Sequence, residues 1–254
     1  MTRIVNNCVA LVCLCLFWGQ SLRAADASHS EQIKWGNESV FNEEHNTLGL
    51  FSGVLGGQIV LAGGTSDDYS RWGRNAVCLS ENAGFALYED VLSKPLAYGA
   101  SITLSDGILC IGGRDSSQCY KDVFLVTMQQ GKLNVSEDWP PLPFPLSNAA
   151  GALLDNKVYL FGGRKSVSPS RLSDSFFVLD LSNKSRGWKE LPGYPGCVRE
   201  DAILVVQNNG VSPCLYLLGG QTETEEGLSS CLTDGYVYNP QLGKWSSLDS
   251  DFPK

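Results

Sequence analysis

Apolar residues fall along this chain in short runs of strand length, and four of the runs stop at a pair of glycines. They read "IVLAGG" ending at Gly64, "LCIGG" at Gly113, "VYLFGG" at Gly163 and "LYLLGG" at Gly220. Runs this short, bounded by turn residues, predict β-strands. Adjacent glycines are costly inside a strand, where they lose backbone freedom and offer nothing to pack. They belong at a strand end, where the backbone takes positive φ or passes close to a neighbour. The second glycines recur at intervals of 49, 50 and 57 residues, which makes the pattern a repeat with a period of roughly 50 residues.

Other features keep the same phase. Trp139, Trp188 and Trp245 follow their double glycines by 26, 25 and 25 residues, with "DVF" at 122, "DSF" at 174 and "DGY" at 234 in between. Each unit therefore reads as four strands, in the third unit "AAGALL", "KVYLFGG", "SFFVLDL" and "GWKELP". The glycines close the second strand and the tryptophan marks the fourth. Residues 48–95, 96–145, 146–196 and 197–250 are the expected units. The first is the weak copy, with "FALYEDVL" where the tryptophan should stand. The expectation is an all-β, Kelch-type β-propeller with four recognisable blades. Ahead of them "EQIKWGNESV", with Trp35, reads as an orphan N-terminal outer strand.

Within the Kelch propellers, "LAYGASITLSDGILCIGGRDSSQCYKDVFLV" (96–126), "WPPLPFPLSNAAGALLDNKVYLFGGR" (139–164) and "WKELPGYPGCVRE" (188–200) resemble the sialic acid mutarotases, or N-acetylneuraminate epimerases. The order of units resembles the cyclically permuted branch of that family, which opens on a segment like "GLFSGVLGGQIVLAGG". The resemblance implies six blades. Four units and an orphan strand do not close such a ring, so the expectation is a truncated chain, with a four-bladed variant or an intermolecular ring as alternatives.

Composition agrees with a globular chain: 254 residues, 43% hydrophobic and 18% charged. Residues 1–24 carry Arg3, an apolar stretch from Cys8 to Trp18 and a small residue at Ala24. This is the layout of a secretory signal peptide, too short to span a membrane. Cleavage near Ala24 would leave residues 25–254 as one propeller domain, secreted or periplasmic, with no membrane attachment. The formal charge of −8 would become about −10 with the loss of Arg3 and Arg23, so nucleic acid is not an expected partner. Six cysteines would remain. Cys110 and Cys119, or Cys214 and Cys231, are candidate local pairs, with buried free thiols the equal alternative. Asn37, Asn134 and Asn183 each open an N-x-S sequon.

In the Kelch family the first strand of each blade lines a central channel, so residues at its mouth are the candidate ligand contacts. Counting fifteen back from the second glycine gives Gly49, Tyr98 and Asn148. The fourth unit carries the insertion "QNNGVSPC", and there the count falls near Arg199. Arg114 and Arg164 directly follow their double glycines, with Gln221 in the fourth unit. The substrate-binding candidates are thus Arg199, Tyr98, Asn148, Arg114 and Arg164. Each has a plainer reading: the arginines as partners of carboxylates such as Glu200 and Asp201, Tyr98 as packing between blades.

The resemblance implies interconversion of the α and β anomers of sialic acid, by acid–base opening and reclosure of the sugar ring. No cofactor or metal is expected, since His29 and His45 are the only histidines and no Cys-x-x-Cys occurs. A sugar carboxylate calls for a cation, and arginine's planar fork suits it. The family's N-G-E-x-x-P-G-x-R acid–base motif is absent. "ELPGYPGCVR" puts Glu190 on an outer strand and is no substitute, so the catalytic residues stay unassigned and the chain as written is expected to be inactive. The alternative from another class is a secreted, non-catalytic propeller that binds a protein or glycan.

Overall fold

In the computed structural model, residues 48–80, 84–224 and 227–248 are described. All fall in the unit Phe41–Lys254. The expected signal peptide and the orphan strand around Trp35 lie outside the described residues.

Each repeat folds into one four-stranded antiparallel sheet whose strands are neighbours in chain order. The first holds β1 (Leu48–Leu55), β2 (Gln58–Thr65), β3 (Ala76–Ser80) and β4 (Gly84–Tyr88); the second holds β5 (Ala100–Thr103), β6 (Ile108–Ile111), β7 (Val123–Gln129) and β8 (Lys132–Ser136). In the third, β9 (Ala150–Leu154) and β10 (Lys157–Phe161) are followed by a small ribbon, β11 (Arg164–Ser166) and β12 (Arg171–Leu172), before β13 (Phe176–Asp180) and β14 (Lys189–Glu190). The fourth repeats that plan with β15 (Ile203–Asn208), β16 (Pro213–Leu218), ribbon β17 (Gln221–Glu223) and β18 (Ser229–Cys231), β19 (Gly235–Asn239) and β20 (Lys244–Ser247). The four sheets are blades of a β-propeller, with the first strands β1, β5, β9 and β15 side by side.

The double glycines join blade to blade. Gly64, Gly113 and Gly163 donate their N–H groups to the carbonyls of Leu96, Leu146 and Arg199, each at the start of the next unit, at 2.9, 2.8 and 2.9 Å. The glycine before each leaves no room for a side chain: a Cβ would stand 2.2 Å from the Leu96 oxygen at Gly63, 2.2 Å from Leu146 at Gly112 and 2.6 Å from Arg199 at Gly162, all at positive φ. That is why the apolar runs end in two glycines. At Gly219 the nearest atom to such a Cβ is the Leu232 oxygen, 3.2 Å away.

Between successive blades lie three apolar cores. Phe51, Val60, Ile108, Phe124 and Val126 fill the first, and Ile102, Leu125, Leu146, Val158 and Phe177 the second. The third is richest in aromatics: Tyr159, Phe161, Phe176, Tyr194 and Tyr238, with Trp245 packed on them. Trp188 Nε1 donates to the Pro140 carbonyl at 3.0 Å and Trp245 Nε1 to Pro192 at 3.3 Å, one blade back in each case. Trp245 sits in β20 as expected, whereas Trp188 immediately precedes β14 and Trp139 lies just past β8. The six cysteines from Cys78 to Cys231 carry free thiols, so neither candidate pair is formed.

Candidate functional site

At the inner start of each blade one residue holds a left-handed backbone: Gly49 (φ 63°), Tyr98 (59°), Asn148 (55°) and Asp201 (53°). They form a row of backbone hydrogen bonds that links the starts of the four blades, and this row is the rim. Tyr98 donates to Gly49 at 2.7 Å, Asn148 to Tyr98 at 2.7 Å and Asp201 to Asn148 at 3.0 Å. Just behind the rim, Ala97 pairs with Arg114, Ser147 with Arg164 and Glu200 with Gln221 through backbone bridges. The residue after each double glycine is thereby set beside the rim.

Glycine, asparagine and aspartate adopt left-handed backbone readily, but a tyrosine does so at a cost of roughly 1–2 kcal/mol. Packing holds Tyr98 there. Its ring lies across Gly49, where a Cβ would come within 2.9 Å of it, and neighbours Tyr69 and Trp72 at centroid distances of 6.5 and 6.3 Å. Those two come from the loop between β2 and β3, braced by Asp68. One carboxylate oxygen of Asp68 accepts from Ser66 Oγ, Ser70 N and Ser70 Oγ, and these hydrogen bonds pull its carboxyl down to about 2.

The Arg114 guanidinium lies over all three rings, 4.7 Å from the centre of Tyr98, 5.1 Å from Trp72 and 6.0 Å from Tyr69. These are cation–π distances. It makes no ion pair with a described residue, and the surrounding rings keep it in place. Arg164 holds the same position one blade on, with the opposite outcome. Its Nε donates to Glu200 Oε2 at 2.8 Å, Nη2 meets Glu200 Oε1 and lies 3.0 Å from Glu223 Oε1, and Nη1 meets Ser170 Oγ. The Glu200 hydrogen bonds in particular push its proton affinity up. That guanidinium is committed to its own carboxylates.

Arg199 is corrected by the structure. It is fully buried, and it occupies the place held by Leu96 and Leu146 in earlier blades, away from the rim. Its Nε donates to Tyr194 Oη at 2.8 Å, Nη1 to the Gly219 carbonyl at 2.8 Å, and Nη1 and Nη2 grip Asp234 at 2.8 and 2.9 Å. The fourth blade's rim residue is Asp201, two positions further on. Asp201 precedes Gly220 by 19 residues where the other three rim residues precede their glycines by 15, because the hairpin joining β15 and β16 is longer.

Asp201 is the acid of the rim. Asn148 Nδ2 donates to its Oδ1 at 2.9 Å, and no described residue donates to Oδ2. The residue is exposed to solvent, although protein atoms packed around its carboxyl partly desolvate it. That enclosure raises its carboxyl above the usual range; Glu200 adds to the rise, and Asn148, Arg164 and Arg114 oppose it. Tyr98 is pushed up as well, mainly by burial. The structure thus brings Tyr98, Asn148 and Arg114 together with Asp201, Tyr69 and Trp72, sets Arg164 aside in an ion pair, and buries Arg199. Sequence reasoning missed Tyr69 and Trp72, whose only signal was an aromatic pair in the first loop after a double glycine.

Four antiparallel blades, joined by double glycines that close their second strands, define a Kelch-type β-propeller. The solved structure of YjhT superposes with a TM-score of 0.61 at 13% identity, over 79% of this chain and 68% of that one, a likeness of fold. Within that class, residues 139–254 match the family model of N-acetylneuraminate epimerase. The N-acetylneuraminate epimerase of Yersinia pestis (strain Pestoides F) is 30% identical over 121 residues, 47% of this chain and 28% of the relative. That of Haemophilus influenzae (strain PittEE) is 30% identical over 119 residues, 47% and 29%. A Kelch domain-containing protein of Vibrio cholerae is 31% identical over 115 residues, 45% and 29%. The matched segments thus span under a third of the length of these relatives.

Proposed function

We propose that this chain forms part of a sialic acid mutarotase-like propeller that binds an anionic sugar at the channel mouth. The reading rests above all on Arg114, a guanidinium laid over Tyr69, Trp72 and Tyr98 with no carboxylate of its own among the described residues. A planar fork on an aromatic floor suits the two parts of such a ligand: the guanidinium pairs with a carboxylate, and the exposed ring edges take the apolar face of the sugar. The match of residues 139–254 to the epimerase family supports N-acetylneuraminate as the sugar. The layout of residues 1–24 supports an exported protein, where such a sugar would be met.

Saturation-transfer NMR and calorimetry with N-acetylneuraminate, against neutral N-acetylmannosamine, test this. The acid should bind and the neutral sugar should not. Arg114→Gln should weaken the acid at least ten-fold, and Arg114→Lys, which keeps the charge without the fork, should fall between. Equal binding of both sugars, or an Arg114→Gln protein that binds like the parent, would refute the reading.

A further inference from the structure

We infer that Asp201 is the proton-transfer group of this site, acting at the anomeric centre of the bound sugar; the inference rests on the binding reading just given. Three observations carry it. Among the four rim residues in equivalent positions, Gly49, Tyr98, Asn148 and Asp201, only Asp201 is acidic. Its backbone is fixed by the bond to Asn148, and Asn148 Nδ2 holds one carboxylate oxygen at 2.9 Å, leaving the other without a partner among the described residues. The neighbouring acids are committed, since Glu200 and Glu223 both serve Arg164.

The position also suits the chemistry. In a 2-keto sugar acid the carboxylate is bonded directly to the anomeric carbon. Holding the carboxylate on Arg114 therefore puts the reacting carbon one bond from the carboxylate that the guanidinium grips. Arg114 is close enough to Asp201 for its positive charge to favour the ionised carboxylate. Asp201 Oδ2 takes the proton of the anomeric hydroxyl as the bond between the anomeric carbon and the ring oxygen breaks. The electron pair of that bond goes to the ring oxygen, a carbonyl forms, and the proton passes from Asp201 through one water to the ring oxygen. Rotation about the bond to the carbonyl carbon presents its other face, and the same steps in reverse close the ring as the second anomer. Asp201 ends as it began, and nothing is oxidised or reduced. Asn148 is a positioning residue, holding the carboxylate through Oδ1.

The charged and titratable groups around Asp201 are Glu200 beside it, Arg164 behind the rim of the third blade, Arg114 behind that of the second, and Tyr98 on the rim itself. With its proton affinity raised by partial desolvation, the carboxylate is a better base than an ordinary aspartate.

The test is anomer exchange of N-acetylneuraminate followed by NMR from freshly released α-anomer. Asp201→Asn keeps a residue that tolerates left-handed backbone. It should bind the sugar within about three-fold of the parent yet lose the acceleration by a hundred-fold or more. The parent's acceleration should rise with pH through a value above that of an ordinary aspartate. Asn148→Ala, which removes a hydrogen bond that favours the ionised form, should move that rise to higher pH. If the parent binds the sugar without accelerating exchange, or Asp201→Asn is as fast as the parent, the inference fails and the binding site stands. If the parent does not bind the sugar, the binding reading fails and takes this inference with it.

Discussion

Arg199→Leu separates two roles for the one arginine that the family-like "PG-x-x-R" stretch brings forward. Leucine is the residue at the equivalent buried positions Leu96 and Leu146, so the replacement suits the site in size and polarity. What it removes is the grip on Asp234 and the hydrogen bonds to Tyr194 and Gly219. Breaking a buried ion pair by deleting one partner costs about 3–5 kcal/mol when the other charge stays buried. Asp234 is about a third exposed and keeps Tyr236 Oη as a donor at 3.0 Å, so water can take over part of its solvation. The expected loss is about 2–3 kcal/mol, or roughly 4–12 °C in Tm for a chain of this size. The pair also gives a pH signature. Arg199 holds the Asp234 carboxyl below its ordinary value. The stability this confers is fully present above the unfolded-state value and is lost as pH falls through the folded one. Urea titrations of parent and Arg199→Leu should therefore differ most near neutrality and converge in acid. N-acetylneuraminate affinity, measured well below the melting temperature, should be unchanged. A variant as stable as the parent that has lost the sugar would refute the buried-tie role and return Arg199 to the ligand.

The glycine pairs give an internal control. Gly112→Ala and Gly219→Ala both place alanine at positive φ, at a cost of about 1–2 kcal/mol. Only the first drives a Cβ to 2.2 Å from a backbone oxygen of the next blade, so urea midpoints should show Gly112→Ala clearly the more damaged, and equal losses would refute the blade-joining role. Thiol labelling with peptide mapping by mass spectrometry should find Cys197 and Cys231 reactive in the native protein. Cys78, Cys110, Cys119 and Cys214 should wait for denaturant, since they are buried and enclosure raises the thiols of the first three. Prompt labelling of Cys110 would contradict the core described for the first two blades.

Much of the fold is legible in the residues, because each blade must meet the next by the same backbone contact. Gly63, Gly112 and Gly162 lie against the next unit's carbonyls, so their spacing reports blade spacing. In the third blade the four predicted strands coincide with β9, β10, β13 and β14 to within a few residues at each end. The site is less legible. Arg199 sits where a leucine would do, and only the register of hydrogen bonds shows it. Four extra residues in the last blade's first hairpin break the fifteen-residue spacing, and the count falls near Arg199, two positions short of Asp201. Arg114 and Arg164 are indistinguishable in the repeat, since what separates them is the presence of Glu200 and Glu223 near one and Tyr69, Trp72 and Tyr98 near the other. These partners come from loops and ribbons, about which strand periodicity says nothing.

That contrast is also the argument for where an anion would go. The chain carries a formal charge of −8, so at long range an acidic sugar is repelled. At physiological ionic strength charges much beyond about 8 Å are screened, and the local arrangement decides. Behind the rim of the third blade, Arg164 is neutralised by two carboxylates, and an incoming carboxylate would have to displace Glu200 from a bidentate pair. Behind the rim of the second blade the same backbone position carries Arg114 with aromatic faces in place of acids. Those faces attract the cation without neutralising it, so its positive charge remains available to a ligand. The same repeat position thus yields a structural tie in one blade and, a blade away, a guanidinium paired with no described carboxylate, which is where the proposed anion's carboxylate would be held.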